Sequence, residues 1–493
     1  MSEDADDERI FFQSRKVRWS ILAAYWAVIL LALPLWWTTT SIQRLSLPTS
    51  RVEDLAQNDL RFPVHIVLDS SSGVDTKALS VKLQSLINAR LSPDVRAWLD
   101  VHVHADPVPR VDAYVVKFDA SSQDTKVQGR NLILAGGGSS PSKLANLLID
   151  LLTPRYTAAD EQKIAKYSPR YRLAFSLLNE NAALGKSAIG WDLNGTLSRY
   201  FIPTLQSLQL LHNFTIESQV QFHAPLAFDP TQITHLGDNA HGLTHEDLTV
   251  FVNSAEWSLS SSASNDPVLH FVLFIPSISH RPLYLLDSER NPVKSSAFIL
   301  PQWGGIVVHN FPSDVTSHLH MTSDYLESIF SAFGLQLFSL LGVPELPKGI
   351  ISLDSTPLSR WQMDSLLRQR SLENVVSTTE TLHSIIKLVD QIENMPVKED
   401  VKGDIQNALD SLEMAYKSSD SAKPALEYSA RALTLSSRAF FNPGMLALLY
   451  FPPEHTYAIY APLFAPVSLP LIAPVVREFL AWRKAKREKQ KVE

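Results

Sequence analysis

The chain has 493 residues, 45% of them hydrophobic and 19% charged, with a formal net charge of −7. That is ample for a large buried core and long enough for two or three domains, and the acidic balance excludes a general nucleic-acid binder. There is no cysteine, which excludes a thiol nucleophile, a disulfide and a thiolate metal site.

Residues 1–18 form a polar tail. No charged residue lies between Arg18 and Arg44. The apolar part, Trp19 to Trp37, has nineteen residues, which at 1.5 Å per residue nearly cover a hydrocarbon core of about 30 Å. Trp19, Trp36 and Trp37 stand where an interfacial aromatic belt would. The far end, Pro34-Leu35-Trp36-Trp37, does not look like a signal-peptide cleavage site. An uncleaved transmembrane helix is predicted over 19–39, against the alternative of a buried helix in a soluble protein.

Residues 40–60 are polar and read as a connector. Pro63–Asp69 has a buried-strand pattern and is followed by the breaker Ser70-Ser71-Ser72-Gly73. Leu79, Leu83, Leu86 and Ile87 recur at helical spacing. Val111–Phe118 and Asn131–Ala135 read as strands, and Leu144, Leu147, Leu148 and Leu151 as a second amphipathic helix. Further strands are predicted at Tyr171–Leu178, Thr215–Phe222, Leu248–Val252, Val268–Phe274 and Gly305–His309, with helices at 196–210 and 322–341. Strands alternating with helices predict an α/β domain over 40–355, a mixed sheet flanked by helices. From about Pro357 the pattern becomes helical. Leu382, Ile385, Ile386, Val389 and Ile392 form one stripe, and Ile405, Leu409, Leu412 and Tyr416 another, separated by Asn394-Met395-Pro396. A helical segment is therefore expected over 356–440 and a juxtamembrane segment over 441–455.

A second span is predicted at 456–476, where all 21 residues are uncharged. Prolines at 462, 466, 470 and 474 share one side of that helix, drifting slowly round it. Each removes a backbone donor and crowds the carbonyl four residues earlier. The segment is either a bent helix with relaxed backbone, or a carbonyl-rich seam facing another helix or a lipid headgroup. Residues 477–493 form a basic tail.

Basic residues flank both spans on their outer sides: Arg9, Arg15, Lys16 and Arg18 before the first, and seven from Arg477 to Lys491 after the second. Positive flanks stay cytosolic, so both termini are expected in the cytosol and the middle in the lumen. The tails carry −1 and +4, which leaves −10 between the spans. Two sequons, at Asn194 and Asn213, fit a luminal middle as N-glycosylation sites. Lys489 and Lys491, third and fifth from the end, resemble a dilysine retrieval signal of endoplasmic reticulum membrane proteins; a merely basic tail is the alternative.

No motif carries chemistry by itself. Gly136-Gly137-Gly138 lies between a strand and a helix but lacks the third spaced glycine of a dinucleotide fingerprint. Gly185-Lys186-Ser187 ends like a Walker loop, with Glu180 where the first glycine should be. Both read as turns. Histidines pair as His102 with His104, His241 with His245, and His318 with His320, without the H-E-x-x-H frame of a zinc site. Asp69 with Ser70–Ser72 ends a strand and either faces a cation or polar ligand or caps the next helix.

The membrane boundaries carry a stronger signal. The run from Leu33 to Pro48 resembles the start of the PIG-S family, with Thr38 and Gln43 as departures where lysine and tyrosine are usual. Trp303-Gly304-Gly305-Ile306 with Asn310, the run Trp361–Asn374, and Phe440–Pro466 match three further blocks in order. The resemblance implies a non-catalytic, scaffolding subunit of the endoplasmic reticulum GPI transamidase complex, which joins GPI anchors to the C-terminus of precursor proteins. It implies no catalytic residue, cofactor or metal on this chain, because the catalytic cysteine belongs to another subunit. It implies PIG-K, PIG-T, PIG-U and the GPI attachment protein GAA as partners, and a membrane. The GPI lipid and the precursor are further candidates for contact, and no nucleic acid is expected. The competing readings are a stand-alone luminal enzyme, acting through the Asp69 loop or the paired histidines, and a cargo receptor.

Overall fold

The computed structural model describes residues 15–40, 43–69, 75–106, 112–135, 140–153, 158–233, 240–259, 264–311, 318–392, 395–446 and 453–489. Its main elements in chain order are α1 (Arg15–Thr40), β1 (Phe62–Leu68), α2 (Thr76–Arg90), β2 (Leu99–His104), β3 (Tyr114–Asp119), β4 (Thr125–Gln128), β5 (Asn131–Ala135), α3 (Pro141–Leu152), β6 (Arg170–Asn179), β7 (Asn213–Gln221), β8 (Val268–Ile275), β9 (Ala297–Leu300), β10 (Gly304–Val308), α4 (Ser323–Leu340), β11 (Ile350–Ser352), α5 (Arg360–Gln391), α6 (Glu399–Lys417), α7 (Ala422–Phe440) and α8 (Pro453–Lys489). The chain divides into a larger unit, 54–379 with 408–434, and a smaller unit made of 1–53, 380–407 and 435–493.

The larger unit holds two main sheets. In the six-stranded sheet the order is β11-β4-β5-β3-β1-β2, parallel except where β4 meets β5. The run Phe62–Leu68 is a strand because both its faces are covered, so it needs no polar alternation. Helix α2 crosses from β1 to β2 and buries Leu83 and Ile87; α3 buries Leu144, Leu148 and Leu152. In the five-stranded sheet the order is β9-β10-β8-β6-β7, with only β9 antiparallel. An aromatic cluster of Phe175, Phe201, Phe271, Phe330 and Phe333 packs between this sheet and α4. A second cluster joins Val272, Phe274 and Ile306 to Phe251 and Trp257.

The glycines of the second family block are explained by close approach. A Cβ on Gly304 would stand 1.9 Å from the His270 carbonyl oxygen, and one on Gly305 would stand 2.1 Å from Oε1 of Gln336. Gln336 needs that space because its amide donates to the carbonyls of Phe298 (2.9 Å) and Ile306 (3.0 Å), joining α4 to β9 and β10.

In the smaller unit, the segment after α1 is fastened to the end of α5. Val397 N–H donates to Gln43 O (2.9 Å) and Leu45 N–H to Val397 O (3.0 Å). The Arg44 guanidinium donates to the carbonyls of Val389 (2.7 Å) and Ile392 (3.3 Å), the orphan acceptors at a helix C-terminus. The last turn of α7 and the residues just after it meet the first turns of α6. Arg438 donates from Nε to Asp404 (2.6 Å), and Asn442 Nδ2 donates to Asp400 (3.0 Å).

Three expectations differ in detail. Residues 248–252 are not a strand: Thr244 and Asp247 form a capping box that starts a helix at His245–Thr249. The helix expected at 196–210 is broken into Leu193–Thr196, a π turn at Leu197–Phe201, and Ile202–Leu208. Pro203 has no N–H to give the preceding turn, which favours that slip. The connector 40–60 contains a helix, Thr49–Ala56, that buries Val52 and Leu55. Helix covers both expected spans as α1 and α8, with all four prolines inside α8. Among the described residues, however, no helix is long and apolar enough to cross a membrane. Side chains 36–37, 39–40, 463–464 and 467–468 lie outside the described residues, so neither span is described over its whole length.

Gly305→Ala should force Gln336 away from its two carbonyls and destabilise the larger unit by about 1–3 kcal/mol. Gln336→Ala in the same chain should return part of that loss, read as a positive coupling in thermal melts.

Candidate functional site

The densest buried polar network lies where α5 meets the six-stranded sheet, among residues of the third family block. Register places Tyr114 of β3 beside Ile66 of β1. Trp361 packs on the Tyr114 ring at 4.2 Å between centroids. One turn on, the buried Asp364 carboxylate accepts from the Tyr114 hydroxyl (3.0 Å) and Arg130 Nε (2.7 Å), with Arg360 Nε at 3.1 Å. Arg130 also pairs with Asp112 at 2.8 Å. Arg368 donates to the Tyr114 oxygen (3.1 Å) and lies 6.0 Å from its ring centre. Burial pushes the Tyr114 phenol up to about 12, against the pull of Arg368, so the hydroxyl keeps its proton and remains a donor.

Other sides of the same helix cap other helices. Ser365 Oγ donates to Leu152 O at the end of α3 (3.2 Å), and Arg370 donates to Leu341 O just after α4 (2.8 Å). Orphan C-terminal carbonyls thereby gain partners from a single helix. A cavity of about 40 Å³ lies beside the network, lined by Phe62, Tyr114, Arg130, Asp364 and Arg368 among others. It has room for a few waters and nothing of substrate size. The arrangement holds α5 rigidly on the sheet.

A second polar group sits at the C-terminal ends of β6, β8 and β10, where open α/β sheets commonly bind ligands. Buried Glu180 accepts from Ser277 N–H (2.7 Å) and bonds to His280 Nδ1 (2.5 Å). Ser187 Oγ bonds to His318 Nδ1 at 2.6 Å. These are two separate pairs: the histidine beside the serine has no carboxylate partner among the described residues, and the histidine beside the carboxylate has no serine partner. His309 bonds to the Tyr325 hydroxyl at 2.8 Å. Burial, reinforced by Arg281, lowers its imidazole to about 4, which leaves it a weak base at neutral pH.

The structure brings some sequence-selected residues together and separates others. His102 and His104 share one face of β2, and His65 of β1 joins them, with its Nδ1 at 2.9 Å from His104 Nε2. His65 was not foreseen; its position opposite His102 comes from the parallel register. Among the described residues no group of three or more histidine or acidic side chains could hold a metal. His241 meets His280 edge-on, 5.4 Å between centroids. A register shift at Leu319/His320 separates His318 from His320. Asp69 does not cap α2; Asp75 does, accepting from Ala78 N–H at 3.1 Å. Gly185 and Lys186 form a turn with φ of 90° and 50°. Asn194 and Asn213 are both exposed. Lys489 ends α8. Lys491, Ser70–Gly73, Gly136–Gly138 and Leu449–Pro452 lie outside the described residues.

The Asp364 network was missed although its signal was present. Arg360, Asp364 and Arg368 recur every four residues, so they share a face, and that face is also the one carrying Trp361 and Leu367.

Comparison with known proteins covers nearly the whole chain. A family model described as phosphatidylinositol-glycan biosynthesis class S protein, PIG-S, matches residues 23–485. The chain is 31% identical to a GPI transamidase component PIG-S homolog of Schizosaccharomyces pombe, over 97% of this chain and 87% of that protein. It is 30% identical to the human GPI-anchor transamidase component PIGS, over 94% and 95% respectively. It is 26% identical to the GPI transamidase component GPI17 of Saccharomyces cerevisiae, over 89% and 88%.

Two outcomes follow from the site. Asp364→Leu takes the shared acceptor from the buried Tyr114 hydroxyl and from Arg130 Nε, leaving Arg130 its pair with Asp112, and should cost about 1–3 kcal/mol by denaturant melts. Burial also lowers His212 and His270 to about 4, like His309. An unfolded histidine binds its proton near 6.5, so their stability contribution is full above about 6.5 and is lost as pH falls towards 4. The melting temperature should therefore drop between pH 6.5 and 4, and His212→Gln should remove one proton's share of that slope.

Proposed function

Since the chain belongs to the PIG-S family and is a component of a GPI transamidase complex, we propose that it serves that complex as a non-catalytic positioning subunit, held in the endoplasmic reticulum membrane by a helix near each end. The observation that carries the reading is the whole-chain relation to proteins named as transamidase components. The anchors are supported by α1 itself. It has no charge beyond Arg18, and among the described residues several of its apolar side chains are exposed: Leu31 is 78% exposed and Val28 66%. Such a surface is stable only in another apolar phase. Leu469 of α8 is 66% exposed in the same way. The basic tails support cytosolic termini, and the exposed Asn194 and Asn213 support a glycosylated luminal middle. Lys489 and Lys491 support retrieval to the endoplasmic reticulum.

Positioning is a physical contribution. Holding a protease, a precursor tail and a glycolipid together replaces an encounter with a first-order step. PIG-K, PIG-T, PIG-U and GAA are the proposed companions. The absence of cysteine removes the thiol nucleophile from this chain, and the separated Ser187–His318 and Glu180–His280 pairs support a structural role for both.

Depleting the chain should remove GPI-anchored proteins from the cell surface, measured by flow cytometry. Re-expressed chains carrying Ser187→Ala, His318→Ala or Asp69→Ala should restore them fully. A variant that assembles normally yet fails to restore them would favour an enzyme instead. Glycosidase treatment should increase mobility in two steps, one lost with Asn194→Gln and one with Asn213→Gln; unchanged mobility would contradict the luminal orientation.

A further inference from the structure

The open sheet edges of the larger unit are handled unequally. On the edge strand β2, the Gln84 amide takes the place of a missing strand: Nε2 donates to Val101 O and Oε1 accepts from Val103 N–H, both at 2.8 Å. The edge strands β11 and β9 have three and four residues, too short to template another chain. β7 differs. It has nine residues, Asn213–Gln221, and among the described residues no strand pairs with its outer side. It contains no lysine, arginine or proline, and its register with β6 runs without a bulge. Its one charge, Glu217, is paired with Arg172 of β6 at 3.1 Å, and among the described residues a loop reaches it only at its end, where Gln221 Nε2 donates to Ser258 O at 2.9 Å.

The direction of its backbone groups is fixed. Asn213 N–H donates to Pro169 O at 2.9 Å, and Gln221 O accepts from Asn179 Nδ2 at 3.2 Å, both on the β6 side. Backbone groups alternate along a strand, so Phe214, Ile216, Ser218 and Val220 direct theirs outward. Ile216 and Ser218 are exposed. A row of alternating N–H and C=O groups at strand spacing is matched by one kind of partner, another extended main chain.

We propose that the outer edge of β7 receives an extended segment of another component of the GPI transamidase complex, which adds a sixth strand to this sheet. The inference rests on the chain working inside that complex. Because the chain has no cysteine, a single introduced one reports a single place. Full-length chains with Ile216→Cys or Ser218→Cys, in an Asn213→Gln background so that no glycan lies beside the strand, are assembled in cells, and the complex is treated in mild detergent with a maleimide–benzophenone crosslinker. Both positions should give an adduct with one other component, and Val81→Cys, exposed on α2, should give none. Ile216→Pro and Ser218→Pro remove an outward donor and no bond to β6. Either should reduce recovery of that component by about tenfold, the loss expected from one or two hydrogen bonds, with the melting temperature near that of the parent. No adduct at either position, an adduct only with a second copy of this chain, or full recovery with both proline variants would overturn the proposal. If the unaltered chain recovers no other component at all, complex membership is what has failed.

Discussion

One buried carboxylate sets the packing of the larger unit. Asp364 sits on a helix that has to lie against a sheet, and a carboxylate can be buried there only if its charge is paired: Oδ2 takes the hydrogen bonds and Oδ1 faces Arg360 as an ion pair. Tyr114 and Arg130 come from the sheet side and Arg360 from the preceding turn of α5. With those bonds made, Trp361 seats on Tyr114, and Ser365 and Arg370 reach the ends of α3 and α4. The first turns of α5 therefore fasten one sheet and the ends of two helices through groups that tolerate little displacement. That is the property a positioning body needs: geometry fixed by bonds that are costly to leave unmade.

The far end of α5 lies in the smaller unit and is fastened in another way. Arg44, just beyond α1, caps its last carbonyls, and Val397 pairs with the chain on either side of Arg44. Asp400 and Asp404, a few residues later, take Asn442 and Arg438 from the chain leading to α8. The segment that follows α1 and the end of α7 with Asn442 thus share one stretch, 389–404. Under the proposed topology this gives both membrane helices a common root.

Much of this was legible in the sequence. Runs such as Phe62–Leu68 and Arg170–Asn179 declare themselves as strands because both faces are covered and every residue is free to be apolar. The short strands Thr125–Gln128 and Ala297–Leu300 do not, since four residues carry no period and their partners supply the pairing. The capping box at Thr244 and Asp247 was readable and was outweighed by an apolar run at Leu248–Val252. The site was less legible than the fold. The fourfold spacing of Arg360, Asp364 and Arg368 was visible, but charge on a helix usually means a solvated face. Only the position of Tyr114 and Arg130, far away in sequence, makes that face a core. The histidine pairs show the reverse: their spacing was visible, and register alone decided that His102 and His104 would meet His65 while His318 and His320 would part.

The central claim is that the body between the two end helices works by being held in place from both ends. Its most direct test begins with the assembled complex. Sites for a specific protease are introduced at 41–42 and at 447–452, so that cleavage after folding frees the region between them from both end helices, and the transamidation rate is measured before and after. Loss of tethering lowers effective concentration, so the rate should fall by about tenfold or more after both cuts and less after either one. An unchanged rate after both cuts would contradict the account.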